Sequence, residues 1–153
     1  MTKRPAHGEG VTIMIKFFMP MVPPRTTAQQ KRVGVSKTGK QVRYEGEKLA
    51  DAHAKLRAYL APHKPPEPIA GPVRLVVKWL YLDKSAAHPD GSWKITRPDT
   101  DNLQKMLKDV MTECRFWHDD AQVCSEIAEK FWVRRRCGIY VEVHALEDVG
   151  AGC

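Results

Sequence analysis

The sequence predicts one compact α+β domain, in which a small mixed sheet packs against two helices in the order β-α-β-α-β-β. A chain of 153 residues with 42% hydrophobic residues suits a single core. Two of its stretches have helical spacing, and four are rich in β-branched and aromatic residues. We expect residues 11–147 to form the ordered core, and residues 1–10 and 148–153 to be flexible tails without apolar periodicity.

The first half of the chain predicts one strand and one helix. Residues 12–18 are β-branched and aromatic, which favours a strand that Pro20 ends. Residues 45–60 place Leu49, Leu56 and Leu60 at helical spacing, so they predict an amphipathic helix whose apolar stripe faces the core.

The second half predicts three strands and one helix. Residues 73–82 are apolar at both alternating sets of positions, which indicates a central strand covered on both sides. Residues 101–113 predict an amphipathic helix. Residues 123–133 and 139–143 predict two strands joined as a hairpin around residues 134–138.

Charge favours a polyanionic partner such as nucleic acid, because the net charge is +7 and the pI is near 9.3. Basic residues and no acidic ones occur from Lys16 to Tyr44. We interpret this run as a mobile basic loop that contacts DNA phosphates; a solvated charged loop is the alternative. The predicted DNA contacts are Arg25, Lys31, Arg32, Lys37, Lys40, Arg43 and Arg97. Arg134 to Arg136 are also expected to follow the DNA backbone.

Several classes of protein are disfavoured. No P-loop, zincin or α/β-hydrolase motif is present. The apolar residues 11–22 contain Lys16 and Pro20 and are too short to span a bilayer, so we expect a cytoplasmic protein with no membrane partner and no small-molecule cofactor. The four cysteines lack zinc-site spacing and are expected to be reduced, buried thiols: Cys114, Cys124, Cys137 and Cys153.

Two carboxylates, Asp99 and Asp101, fall at the start of the second helix. Either one alone is explained by helix capping. Held together they repel one another, and a bound Mg²⁺ or Mn²⁺ relieves the repulsion while supplying a Lewis acid for phosphoryl chemistry. The pair therefore predicts a metal site.

A second acidic pair, Asp119 and Asp120, precedes the third strand. Helix rise and strand extension allow Asp120 to come level with Asp101, although an acidic turn that caps the strand is the alternative. Lys105, one turn after Asp101, predicts either a simple ion pair or a contact to the scissile phosphate.

The runs RPDTDNLQK (residues 97–105) and FWHDDAQV (residues 116–123) resemble the RusA family of Holliday junction resolvases. A weaker resemblance covers residues 12–146. It implies a homodimeric, Mg²⁺-dependent endonuclease of bacterial or phage origin that makes paired nicks across a four-way DNA junction. The family's acidic catalytic residues correspond to Asp99, Asp101 and Asp120, its catalytic lysine to Lys105, and Asp119 is a supporting candidate.

Two other functions are kept as alternatives: a metal nuclease for a different branched DNA, and a non-catalytic DNA-binding module. The long loop between Tyr81 and Arg97 departs from the most compact members of the family, which leaves substrate fit open. For the nuclease we expect phosphodiester hydrolysis by metal-activated water, with no covalent enzyme intermediate.

Overall fold

A computed structural model describes residues 13–25 and 46–147 in full and residues 39–45 as helical backbone. The element order is that of the predicted α+β domain, a four-stranded sheet with two helices. Short 3-10 turns at Ala61–His63 and Asp120–Gln122 join the main elements. These are β1 (Met14–Met19), α1 (Gly39–Leu60), β2 (Val73–Leu82), α2 (Thr100–Glu113), β3 (Val123–Val133) and β4 (Gly138–Ala145).

The strands lie in the spatial order β1-β4-β2-β3. β2 runs parallel to β3 and antiparallel to β4, and β1 pairs antiparallel with β4. A parallel pair needs a crossover connection, and α2 supplies it. The predicted central position of β2 is therefore confirmed.

The predicted hairpin between the last two strands is wrong. β3 and β4 both pair with β2, on its opposite sides, so residues 134–137 carry the chain across the end of β2. That crossing spans two strand spacings, about 10 Å. Arg136 takes a left-handed φ of 55° in this connection.

The first helix begins at Gly39, six residues before the predicted start at Glu45. Lys40 and Arg43 therefore lie on a helix and not in the predicted basic loop. Three other predicted DNA contacts, Lys31, Arg32 and Lys37, lie outside the described residues, as do the tails 1–10 and 148–153.

One face of the sheet carries the core. Alternate side chains of β2 are buried there with the apolar stripe of α2, and Leu56 and Leu60 of α1 are fully buried as predicted. On the other face, Val76, Leu80 and Leu82 are only half-buried within the chain. The prediction that β2 is covered on both sides thus holds for one face.

The long loop after β2 adds a short antiparallel segment to the free edge of β3. The amide of Trp132 donates to the carbonyl of Ser92 (2.8 Å), and the amide of Lys94 donates to the carbonyl of Lys130 (3.0 Å). Trp93 pairs with Phe131 between these bonds. The loop is thereby fixed along the sheet up to the residues that precede α2.

The thiols are less buried than predicted. Cys114 is buried, Cys124 is exposed and Cys137 is partly exposed, while Cys153 lies outside the described residues. Within the part of the chain that the structure describes, no helix combines the length and apolar character needed to cross a membrane.

Candidate active site

The start of α2 presents two carboxylates to solvent. Asp99 is the N-cap residue, but its side chain makes no capping hydrogen bond; only its carbonyl accepts, from the amide of Leu103 (3.1 Å). Asp101 is exposed in the first turn. Neither side chain has a hydrogen-bond or ion-pair partner among the described residues. Capping therefore does not account for the Asp99 carboxylate, and both groups are available to an external ligand.

Lys130 of β3 fixes the approach to this helix start. Its ammonium group donates to the carbonyls of Thr96 and Pro98, at 2.7 Å each. Pro98 is buried, and the Arg97-Pro98 peptide bond is cis. The backbone directly before Asp99 is thus tied to the sheet, so the carboxylates stand on a rigid support.

A groove of about 340 Å³ runs beside Asp101 between α2 and β3. We call it the α2–β3 groove. It is lined by Thr100, Asp101, Gln104, Lys105, Lys108, Glu126 and Ala128. Acidic and basic side chains share its walls, as a site that holds both a cation and a phosphate requires.

Gln104 anchors the groove to the core. Its buried amide accepts from the indole N–H of Trp79 (2.8 Å) and donates to Glu126 (2.8 Å). The ammonium of Lys108 donates to the second carboxylate oxygen of Glu126 (3.0 Å). This satisfied network holds α2 against β2 and β3. The only sequence signal for it was a glutamine within an otherwise apolar helix stripe.

Lys105 stands on the rim of the groove with its side chain 69% exposed. Its nearest carboxylate is Asp109, at 3.6 Å, and not the predicted Asp101. An exposed pair of this kind contributes little to stability. Lys105 can therefore turn to an incoming phosphate at small cost.

The two residues of the second acidic pair, Asp119 and Asp120, differ in what their side chains contact. Asp119 caps the 3-10 turn that precedes β3: its carboxylate accepts from the amide of Ala121 (2.9 Å), and Gln122 reciprocates at the amide of Asp119 (2.9 Å). This matches the capping alternative for Asp119. Asp120 has no partner among the described residues.

Asp120 and Asp101 lie at opposite ends of α2. The turn that holds Asp120 leads into Val123, the first residue of β3, whereas the residues before Asp99 are tied to Lys130, seven residues further along that strand. Seven residues of strand span about 23 Å. The expectation that Asp120 comes level with Asp101 is therefore wrong within one chain. Consistently, no three Asp, Glu, His or Cys side chains of the described residues form a group able to hold a metal.

Two of the predicted DNA contacts come together beyond the helix start. Arg25 and Arg97 line a second cavity, of about 390 Å³, with Lys94 and the aromatic residues Tyr81 and Trp132. We call it the cationic cleft. Sequence reasoning missed Lys94, whose neighbours Trp93 and Ile95 gave no sign that it points into a pocket.

Comparison with known proteins identifies the class of protein. The family model described as endodeoxyribonuclease RusA matches residues 20–144, most of the chain. The chain belongs to the RusA family of endodeoxyribonucleases. A curated relative, the crossover junction endodeoxyribonuclease rusA of Lactococcus phage r1t, is 35% identical over 100 residues, which are 64% of this chain and 73% of the relative.

Proposed function

We propose that this protein is a Mg²⁺-dependent endonuclease that resolves four-way DNA junctions by paired nicks, in recombination and repair, in the cytoplasm of a bacterial or phage-infected cell. The observation that carries the proposal is a pair of carboxylates, Asp99 and Asp101, that have no partner among the described residues and lie beside a groove rimmed by Lys105 in a RusA-family chain. The phage relative bears the name of a crossover junction endonuclease, which supports this substrate.

The site residues fit a divalent cation, because Mg²⁺ prefers carboxylate oxygens and neither of these two has a partner within the described part of the chain. Asp99 and Asp101 would hold it, with Asp120 as the third ligand and Mn²⁺ as a plausible substitute. When bound, the ion supplies an activated water and charge stabilisation at the leaving oxygen. Lys105 then balances the charge of the scissile phosphate, and Lys130 keeps the carboxylates in place.

Asp120 joins the site from the partner in a homodimer. Within one chain, about 23 Å of strand separates the Asp120 end of β3 from the Asp99 end, too far for one ion. A two-fold axis near the middle of β3 sets two such strands antiparallel, so the Asp120 end of one chain meets the Asp99 end of its partner. The two sites of such a dimer suit a junction that offers two equivalent strands.

An exposed apolar patch supports an interface at β3. Ile127, near the middle of the strand, is 45% exposed, and Trp93 is 62% exposed while it stacks on Phe131 at 4.6 Å between ring centroids. Ile127 and Phe131 of β3 are on the sheet face away from the helices, where they are in register with Val76 and Leu80 of β2. Lys78 and Glu129 are register partners between these apolar residues on the same face. Exposed apolar side chains of this kind are typical of protein interfaces, and a second copy buries them symmetrically.

Replacing Trp93 with serine is expected to weaken the dimer about 30-fold, because a central tryptophan contributes about 2 kcal/mol or more to an interface. Sedimentation equilibrium over a range of protein concentrations measures the dissociation constant. Val22→Ser is the matched control, since Val22 is equally exposed but lies outside the patch. If Trp93→Ser leaves the dissociation constant unchanged, the interface does not include Trp93. If wild type is a monomer at tens of micromolar, the proposed dimer is wrong.

The experiment that tests the proposed function is cleavage of a four-way junction beside a flap and a linear duplex, with Mg²⁺ or with EDTA. Paired, metal-dependent nicks on the junction support the proposal. Preference for the flap would favour the alternative of a nuclease for other branched DNA. Tight binding without cuts under any condition would favour a DNA-binding module.

A further inference from the structure

The cationic cleft contains the buried ammonium group of Lys94, which has no counter-ion among the described residues. Lys94 is only 8% exposed, and its Nζ lies 4.3 Å from the ring centroid of Trp132 and 5.1 Å from that of Tyr81. Its hydrogen-bond partner is the neutral hydroxyl of Thr96 (2.5 Å). Among residues 13–25 and 46–147, no carboxylate lies within ion-pair distance of it. Aromatic faces offset part of the cost of burying the charge, but they leave it unneutralised.

The surroundings of Lys94 add positive charge. Arg25 and Arg97 line the same cleft, and Lys130 lies near enough that burial, Lys130 and Arg25 together lower the pKa of Lys94. Among the described lining residues the one carboxylate is that of Asp83, which accepts from the hydroxyl of Ser85 and from the amide of His88, at 2.7 Å each. Two guanidinium groups and an ammonium around one cavity are complementary to an oxyanion.

The aromatic lining is not open to a stacking nucleobase. The imidazole of His88 already stacks on the Trp132 ring, with centroids 4.8 Å apart, and Lys94 contacts the same ring. The Tyr81 ring is buried, and its hydroxyl donates to the carbonyl of Pro24 (2.7 Å). The cleft therefore offers charge at its surface and no free aromatic face.

The cationic cleft and the α2–β3 groove lie along the same face of β3, the face that packs against α2. Ala128 lines the groove and Trp132 lines the cleft, with Lys130 between them holding the segment before Asp99. Four strand residues span about 13 Å. The phosphates of one strand of duplex DNA rise by about 3.4 Å each along the axis and also wind around it, so this distance corresponds to only a few phosphates.

We propose that the cationic cleft binds a non-scissile phosphate of the strand that is cut, with the buried ammonium of Lys94 as its floor and Arg25 and Arg97 as its walls. This inference rests on the proposed function and adds a second point of attachment for the strand. Two fixed points on one strand set which phosphate reaches Asp99 and Asp101.

The test measures DNA binding in EDTA as a function of salt for wild type, Lys94→Met and the control Lys64→Gln. Methionine fits an aromatic pocket without charge, and Lys64 is an exposed lysine that lines a different cavity. Loss of one phosphate contact is expected to weaken Lys94→Met about tenfold at about 100 mM salt and to reduce its salt slope by about 0.9. Lys64→Gln should match wild type, and a wild-type slope in Lys94→Met would overturn the proposal.

A scan with single methylphosphonates on either side of the cut identifies the phosphate. One substitution is expected to weaken wild type about tenfold and to leave Lys94→Met unaffected, because the contact is already gone. If every methylphosphonate weakens the binding of Lys94→Met by the same factor as that of wild type, the proposal is overturned. If Lys94→Met does not fold, Arg97→Gln serves instead, since Arg97 is exposed and must respond at the same position.

Linear duplex carries the same phosphates as the junction, so both DNAs are titrated. Suppose that Lys94→Met has a smaller salt slope than wild type on linear duplex, and that wild type shows no preference for the junction. This result would support the phosphate contact in the cleft but count against the proposed function. If wild type cleaves the junction but Lys94→Met has the same salt slope of DNA binding as wild type, the proposed function is supported and the phosphate contact in the cleft is excluded.

Discussion

Asp101→Asn is expected to lower the rate of junction cleavage by about 10³-fold or more while junction binding stays equal or becomes tighter. The amide keeps the shape of the side chain but removes the charge that holds the cation, and a lost metal contribution of about 4 kcal/mol corresponds to that factor. Binding is spared because less negative charge then faces the phosphates. Single-turnover cleavage with Mg²⁺ and titration in EDTA measure the two quantities separately.

The matched control is Asp51→Asn, the same chemical change at an exposed position on α1 outside the proposed site. It should cleave at the wild-type rate. Thermal unfolding of Asp101→Asn should change little, since the Asp101 carboxylate has no partner among the described residues and interacts only with the helix dipole, which contributes about 1 kcal/mol or less. Retained cleavage in Asp101→Asn would remove this residue from the site.

Mixed dimers of Asp101→Asn and Asp120→Asn are expected to regain cleavage although each homodimer is inactive. If Asp120 works with Asp101 of the partner, a mixed dimer has one site with both substitutions and one intact site. Random exchange makes about half of the dimers mixed. The recovered activity should therefore consist of single nicks, with about a quarter of the nicking capacity of wild type, and denaturing electrophoresis of labelled junction strands measures it.

The control mixture combines Asp99→Asn with Asp101→Asn. Both residues lie at the start of the same helix, so every mixed dimer would carry a damaged residue in each site and stay inactive. Different affinity tags on the two subunits verify that exchange has occurred. No recovery in the Asp101 and Asp120 mixture, with exchange verified, would exclude a site completed by the partner.

Local patterning predicted the bounds of an element correctly where its apolar period runs between clear turn residues. The bounds of β2 and β3 agree with the sequence expectation, and α2 begins one residue early, because apolar period and flanking turns coincide there. The hairpin failed for a different reason. Residues 134–138 have the composition of a tight turn, but β2 pairs with both following strands, and nothing local in the turn reveals a third strand between its ends.

For the site, the sequence indicated which residues carry charge but not how far apart they lie. Asp99 and Asp101 share a helix turn, so their proximity was predictable. The position of Asp120 depended on where the chain turns after α2, at Phe116 and Trp117, and this is a matter of packing. Lys94 and Lys130 were missed because their roles come from the loop that pairs with the edge of β3.

The most direct test of the central proposal uses a supercoiled plasmid that extrudes a cruciform, with and without Mg²⁺. Paired nicks within one bound complex convert it to linear DNA, whereas independent nicks give an open circle first. We predict linear product from the earliest time points in Mg²⁺, none in EDTA, and none from a plasmid without the cruciform. Open circles alone, or cleavage that does not depend on the metal or on the cruciform, would contradict the assignment as a junction-resolving nuclease.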